Sequence, residues 1–107
     1  GKMRNLTIEQ KSALADKMIT ELPVLRARLG LSQEELGEKI GLSRQMVVAM
    51  ETRKRPMTWN TYLSLILLFL HNPSTAELLR VFGVYTDELR EFLDVDAAGR
   101  SGNRLAQ

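Results

Sequence analysis

Reactive side chains are scarce in this sequence, and the scarcity narrows the chemistry. There is no cysteine and one histidine, His71. Thiol nucleophiles, disulfides and cysteine-ligated metals are thereby excluded, and a histidine metal site would have to be completed by carboxylates alone. No Gly-rich phosphate loop and no nucleophile–base pair stands out, so no catalytic residue is assigned. The groups that could act are hydrogen-bond donors and cations gathered between Gln33 and Arg55. Arg44 and Gln45 open a short helix after Gly41-Leu42-Ser43, and both can bond base edges exposed in a major groove. Arg53, Lys54 and Arg55 follow in a loop, where cations suit phosphates. The chemistry implied is recognition, with no bond made or broken.

Two short helices must position these groups. If they cross steeply, the first needs a small residue at the point of approach, which Gly37 supplies. The turn needs a residue that tolerates positive φ, and Gly41 stands there. Leu36, Ile40, Leu42, Val47 and Met50 then fall on the buried sides, leaving Arg44, Gln45, Val48 and Ala49 outward. Ser32 and Glu35 form a capping-box pattern at the start of the first helix, and Ser43 caps the second, which runs to about Glu51.

The rest reads as helix nearly throughout, with apolar residues three and four apart and no clean period-two alternation. Thr7 is expected to cap a first helix with its stripe at Ile8, Leu14, Met18 and Leu22. Pro23 predicts a break or kink near residues 19–22, with Thr20 as a new cap, followed by helix to Leu29 and a glycine stop at Gly30. Thr58 caps a helix from Trp59 to His71 that is apolar on nearly every side and so must be covered all round. His71 suits the C-terminal end of that helix. Trp59, Tyr62, Met46, Met50 and Met57 read as core. Ser74 with Glu77 predicts a second capping box, leading a helix to Phe82 that Gly83 ends. Thr86 begins a last helix, apolar at Leu89, Phe92 and Leu93. Beyond Asp96 there is no apolar periodicity, and residues 97–107 read as a loose tail.

With 107 residues, one compact domain is expected, and no apolar run is long enough to cross a bilayer. The N-terminus shows no apolar signal region, and Gly1 in place of methionine reads as an expression remnant. A cytoplasmic protein is expected. Charge is lopsided: residues 1–58 carry 11 Lys and Arg against 7 Asp and Glu, while residues 59–107 carry 4 against 6. The basic half is the one expected to meet a polyanion.

Leu22 to Leu70, roughly half the chain, resembles the Cro/C1-type (XRE-like) helix-turn-helix family of bacterial and phage repressors. The matching text is Leu25-Arg26, then Gly30-Leu31-Ser32-Gln33-Glu34-Glu35-Leu36, Ile40-Gly41-Leu42-Ser43-Arg44, and Met50-Glu51 before Lys54-Arg55. The resemblance implies an all-α, lambda-repressor-like bundle that binds double-stranded DNA, usually as a homodimer on a palindromic operator. It implies that Gln33 bonds a phosphate, that Ser43, Arg44, Gln45 and Ala49 face the major groove, and that Lys54 and Arg55 touch the backbone. It also implies a partly buried salt bridge between Arg26 and Glu51. The sequence departs from the family in three places. Arg53 stands where glycine is common, leaving the loop conformation open. Val48 and Ala49 replace polar reading residues and favour thymine-methyl contacts. Gly37 stands where alanine is usual, at a cost of ~1 kcal/mol in helix propensity.

The expected organisation is an N-terminal helical arm (1–19), the DNA-binding domain (20–71), a C-terminal helical extension (72–96) and the tail. Ser43, Arg44, Gln45, Val48 and Ala49 are assigned to bases, and Gln33, Arg53, Lys54 and Arg55 to phosphates. No metal, cofactor or membrane is assigned. The expected role is a transcriptional regulator, a repressor acting by operator occupancy. The alternatives are the antitoxin of a toxin–antitoxin pair, with a protein partner, and a helical protein-interaction module without DNA binding.

Overall fold

Thr7 and Gln10 start the first helix by bonding each other reciprocally. The Thr7 hydroxyl accepts from the Gln10 N–H at 3.0 Å, and the Gln10 side chain accepts from the Thr7 N–H at 2.8 Å. In this computed structural model, which describes residues 5–96, helix α1 then runs Ile8–Arg28 without interruption. Of the break or kink expected near Pro23, the break is absent. Proline inside a helix costs about 3 kcal/mol, yet Met18, Leu22 and Leu25, on both sides of Pro23, are fully buried. At ~1.5–3 kcal/mol for each buried side chain, that face offsets the missing hydrogen bond. Pro23 itself is turned to solvent. Thr20 does not cap; its hydroxyl donates to the Asp16 carbonyl one turn earlier at 3.3 Å. The boundary expected between residues 19 and 20 therefore falls inside a helix.

Gly30 closes α1 at φ 69°, with the Leu31 N–H returning to the Arg26 carbonyl at 3.1 Å. Helices α2 (Gln33–Ile40), α3 (Arg44–Glu51) and α4 (Trp59–His71) follow, capped at Ser32, Ser43 and Thr58. Helix α5 spans Pro73–Val81 and α6 spans Asp87–Leu93, the latter capped by Thr86.

The second capping box is a correction. Helix α5 begins one residue before Ser74, with Pro73 in the first turn and Asn72 as an N-cap that makes no side-chain cap bond. Proline's fixed φ suits that place and its missing N–H costs nothing there. The Asn72 amide instead donates back to the Leu68 carbonyl at 2.9 Å, closing the end of α4. Thr75 is buried, its hydroxyl 2.7 Å from the Phe69 carbonyl.

One core joins the helices. Leu22 and Leu25 of α1 meet Leu36 of α2, Val47 and Met50 of α3, and Tyr62, Leu65 and Phe69 of α4. Leu79, Val84 and Leu89 belong to the same cluster, so the C-terminal helices fold back within one subunit. Tyr62 stacks on Trp59 with centroids 4.8 Å apart, and Phe92 meets Trp59 edge-on at 6.5 Å. The Tyr62 hydroxyl donates to the Val84 carbonyl at 2.5 Å. Burial pushes that phenol far above its ordinary range. Residues 97–107, expected as a loose tail, and Gly1, expected as an expression remnant, lie outside the described residues.

Candidate nucleic-acid interface

The turn between α2 and α3 is built on glycines at two different places. Gly41 ends α2 at φ 79°, a left-handed conformation that side chains resist. Gly37, one turn earlier, is buried, and its carbonyl accepts from the Leu42 N–H at 2.9 Å. Ser43 then starts α3 by accepting from the Met46 N–H at 3.2 Å.

Helix α3 is held from one side only. Val47 and Met50 are buried in the core, whereas Arg44 and Gln45 are exposed and Val48 and Ala49 half-buried. Arg44, Gln45, Val48, Ala49, Thr52 and Lys54 together line one shallow, open depression. Donors at its start and apolar side chains at its centre can meet base edges and thymine methyls respectively. Thr52 was missed by sequence reasoning. Its hydroxyl donates to the Val48 carbonyl at 2.8 Å, so it is bound locally.

A three-residue network ties this helix to the rest. The Arg26 guanidinium grips Glu51 with both ends: Nε donates to Oε2 at 2.9 Å and Nη2 to Oε1 at 3.1 Å. The side chains are 20% and 7% exposed, so the fork–fork pair is largely removed from water. Arg26 Nη1 also donates to the Leu31 carbonyl at 3.0 Å, binding the α1–α2 loop. Gln33 Nε2 donates to Glu51 Oε1 at 3.0 Å, so its amide is oriented from within the protein. The same nitrogen carries a second amide hydrogen.

The basic loop is split between two environments. Lys54 and Arg55 are exposed. Arg53, expected on a phosphate, has its guanidinium against α1, pairing with the Asp16 carboxylate and donating to Thr20 Oγ1 at 2.7 Å. Asp16 was not singled out in the sequence and Thr20 was read there only as a helix cap; both stand far from Arg53 along the chain. Arg53 has φ 61°, the conformation glycine supplies elsewhere, and the N–H of Lys54 returns to the Ala49 carbonyl at 2.8 Å. Helix α3 thus ends in the usual glycine-type turn with an arginine in the glycine's place.

His71 lies exposed in the last turn of α4. Among the described residues no group of three His, Asp or Glu could hold a metal, and no helix is long and apolar enough to cross a membrane.

Residues 25–58 match the model of a protein family described as helix-turn-helix. The match covers α2, the turn, α3 and the basic loop, together with the end of α1 that carries Arg26. No curated protein and no solved structure matches the chain.

Proposed function

We propose, from the helix-turn-helix family match over residues 25–58, that the protein is a sequence-specific regulator of transcription of the Cro/C1 type that binds double-stranded DNA. One observation carries the reading: α3 is locked into the core by Val47 and Met50 while Arg44, Gln45, Val48 and Ala49 line its open face. Inserted in a major groove, Arg44 and Gln45 read base edges and Val48 and Ala49 contact thymine methyls, with Ser43 at the helix start beside them. Gln33, Lys54 and Arg55 hold the phosphates and set the register. The protein works in the cytoplasm as a repressor, by occupying its operator.

The DNA-binding unit is the bundle of α1 to α4, with residues 72–96 as a helical extension that shares its core. The working species is a homodimer, because one motif of this size reads only a few base pairs. The support for a second copy is apolar surface that folding leaves uncovered. Leu67 of α4 is 72% exposed and Val81 of α5 is 76% exposed.

Selection of bound sequences from a random duplex pool tests the reading directly. A near-palindrome with half-site centres ~34–36 Å apart is expected. Absence of any enriched sequence, together with absence of duplex binding at low salt, would refute it.

A further inference from the structure

The turn that ends α3 combines an unusual backbone with an unusual side-chain anchor at one residue. Among the described residues Arg53 is the one non-glycine with positive φ. Its guanidinium crosses to α1, where Asp16 and Thr20 lie one helical turn apart and so share a face. Asp16 takes Nη1 and the Thr20 hydroxyl takes Nη2. The next two amides, of Lys54 and Arg55, both bond the Ala49 carbonyl, at 2.8 and 3.2 Å. The groove between α1 and the loop is lined by Asp16, Arg53, Lys54 and Arg55.

We propose that Arg53 is a positioning residue, anchored on Asp16 and Thr20, that holds the loop in the shape presenting Lys54 and Arg55 to DNA. A glycine would reach φ 61° freely but could leave it as freely. An arginine there is disfavoured by its Cβ and stays only where the surroundings over-determine it. The anchor on α1 adds to the amide bonds that close the turn on Met50 and Ala49, because the guanidinium keeps both partners in this loop shape. Asp16 also meets the guanidinium charge before a phosphate can. Arg53 is therefore assigned a role different from that of its neighbours Lys54 and Arg55. The link to DNA rests on the duplex-binding reading above; the anchoring of the loop does not.

Counterion release separates an anchor from a phosphate ligand. Each phosphate neutralised contributes about 0.9 to the slope of log K against log salt, and an internal anchor contributes nothing. The full chain, Asp16→Asn, Arg53→Ala and the double variant are titrated with the selected duplex over a salt series. Amide hydrogen exchange at Lys54 and Arg55 is followed without DNA. Each single variant should raise exchange at both amides and weaken binding by roughly two- to fivefold, the range of an exposed ion pair. The slope should stay unchanged, and the double variant should bind no worse than the weaker single. Tighter binding and a slope steeper by about 0.9 in Asp16→Asn would make Arg53 a phosphate ligand masked by Asp16, and so overturn the proposal. A slope shallower by that amount in Arg53→Ala would do the same. Unchanged exchange in both variants would remove the anchor. A chain that binds no duplex while exchange rises as stated would keep the anchor and refute the DNA-binding reading.

Discussion

Gly37 sets its bare Cα against the Leu42 carbonyl so closely that a β-carbon would stand 2.3 Å from that oxygen. The obstacle is backbone, which cannot swing aside as a side-chain tip would. Gly37→Ala would gain ~1 kcal/mol of helix propensity. Relieving the overlap means opening the α2–α3 turn, and overpacking of this kind costs ~1–3 kcal/mol. A net loss of stability is expected in urea unfolding, together with weaker duplex binding as α3 tilts. A more stable Gly37→Ala protein would show that the turn relaxes without cost.

Base reading is concentrated at the start of α3. Gln45→Ala should cost ~1–3 kcal/mol on the preferred duplex and relax specificity at one base pair. Lys54→Ala should weaken all sequences about equally and reduce the salt slope by roughly one. An unchanged sequence preference in both Arg44→Ala and Gln45→Ala would take them out of the reading role.

Glu51 is the shared acceptor of Arg26 and Gln33, and its side chain is 7% exposed. Removing it strands the Arg26 guanidinium, which among the described residues retains the Leu31 carbonyl. Breaking a buried pair costs ~3–5 kcal/mol, and the 20% exposure of Arg26 places Glu51→Ala toward the lower end. A double-mutant cycle over Arg26 and Glu51, measured by denaturant unfolding, should give a coupling well above the ~0.5 kcal/mol typical of exposed pairs. A smaller coupling would mean that the pair is solvated in solution.

Tyr62 gives stability an alkaline edge. Its phenol is raised above the ordinary value of 10.0, first by burial and then by the neighbouring Tyr85. The unfolded chain therefore releases this proton before the folded one does. The contribution is complete below pH 10 and falls as pH rises beyond it, at ~1.4 kcal/mol per unit. Tyr62→Phe leaves the Val84 carbonyl without its donor and should cost ~1–3 kcal/mol at neutral pH. The gap between the two proteins should close above pH 10 in chemical denaturation. A constant gap from pH 8 to 11 would mean that the hydroxyl reaches water.

The dimer is checked at the uncovered apolar surface. Sedimentation at micromolar concentration should show twice the chain mass, and Leu67→Lys with Val81→Lys should return it to one chain. Burying each such side chain is worth ~1.5–3 kcal/mol, so two losses per subunit are decisive. A monomer-sized species that binds a single asymmetric half-site tightly would end the dimer model.

The helices, their caps and the α2–α3 motif were legible in the sequence because the forces that make them are local. A Ser or Thr oxygen bonds an N–H three residues on, an αL glycine closes a helix end, and apolar side chains three and four apart make one face. Those rules located the starts of α1 to α4 and of α6, and the outward face of α3. They failed where a distant contact or a rival local signal outweighed them. Pro23 pointed to a break or a kink in α1, and the break is absent because burial of Met18, Leu22 and Leu25 against other helices carries the helix through it. Ser74 had the pattern of a cap, yet Pro73 already satisfied the first turn at no cost. The fate of Arg53 was settled by tertiary structure alone, because its partners Thr20 and Asp16 lie 33 and 37 residues away. No periodicity reports a pairing at such a distance; only the packing of α1 beside the loop brings carboxylate, hydroxyl and guanidinium within reach of one another.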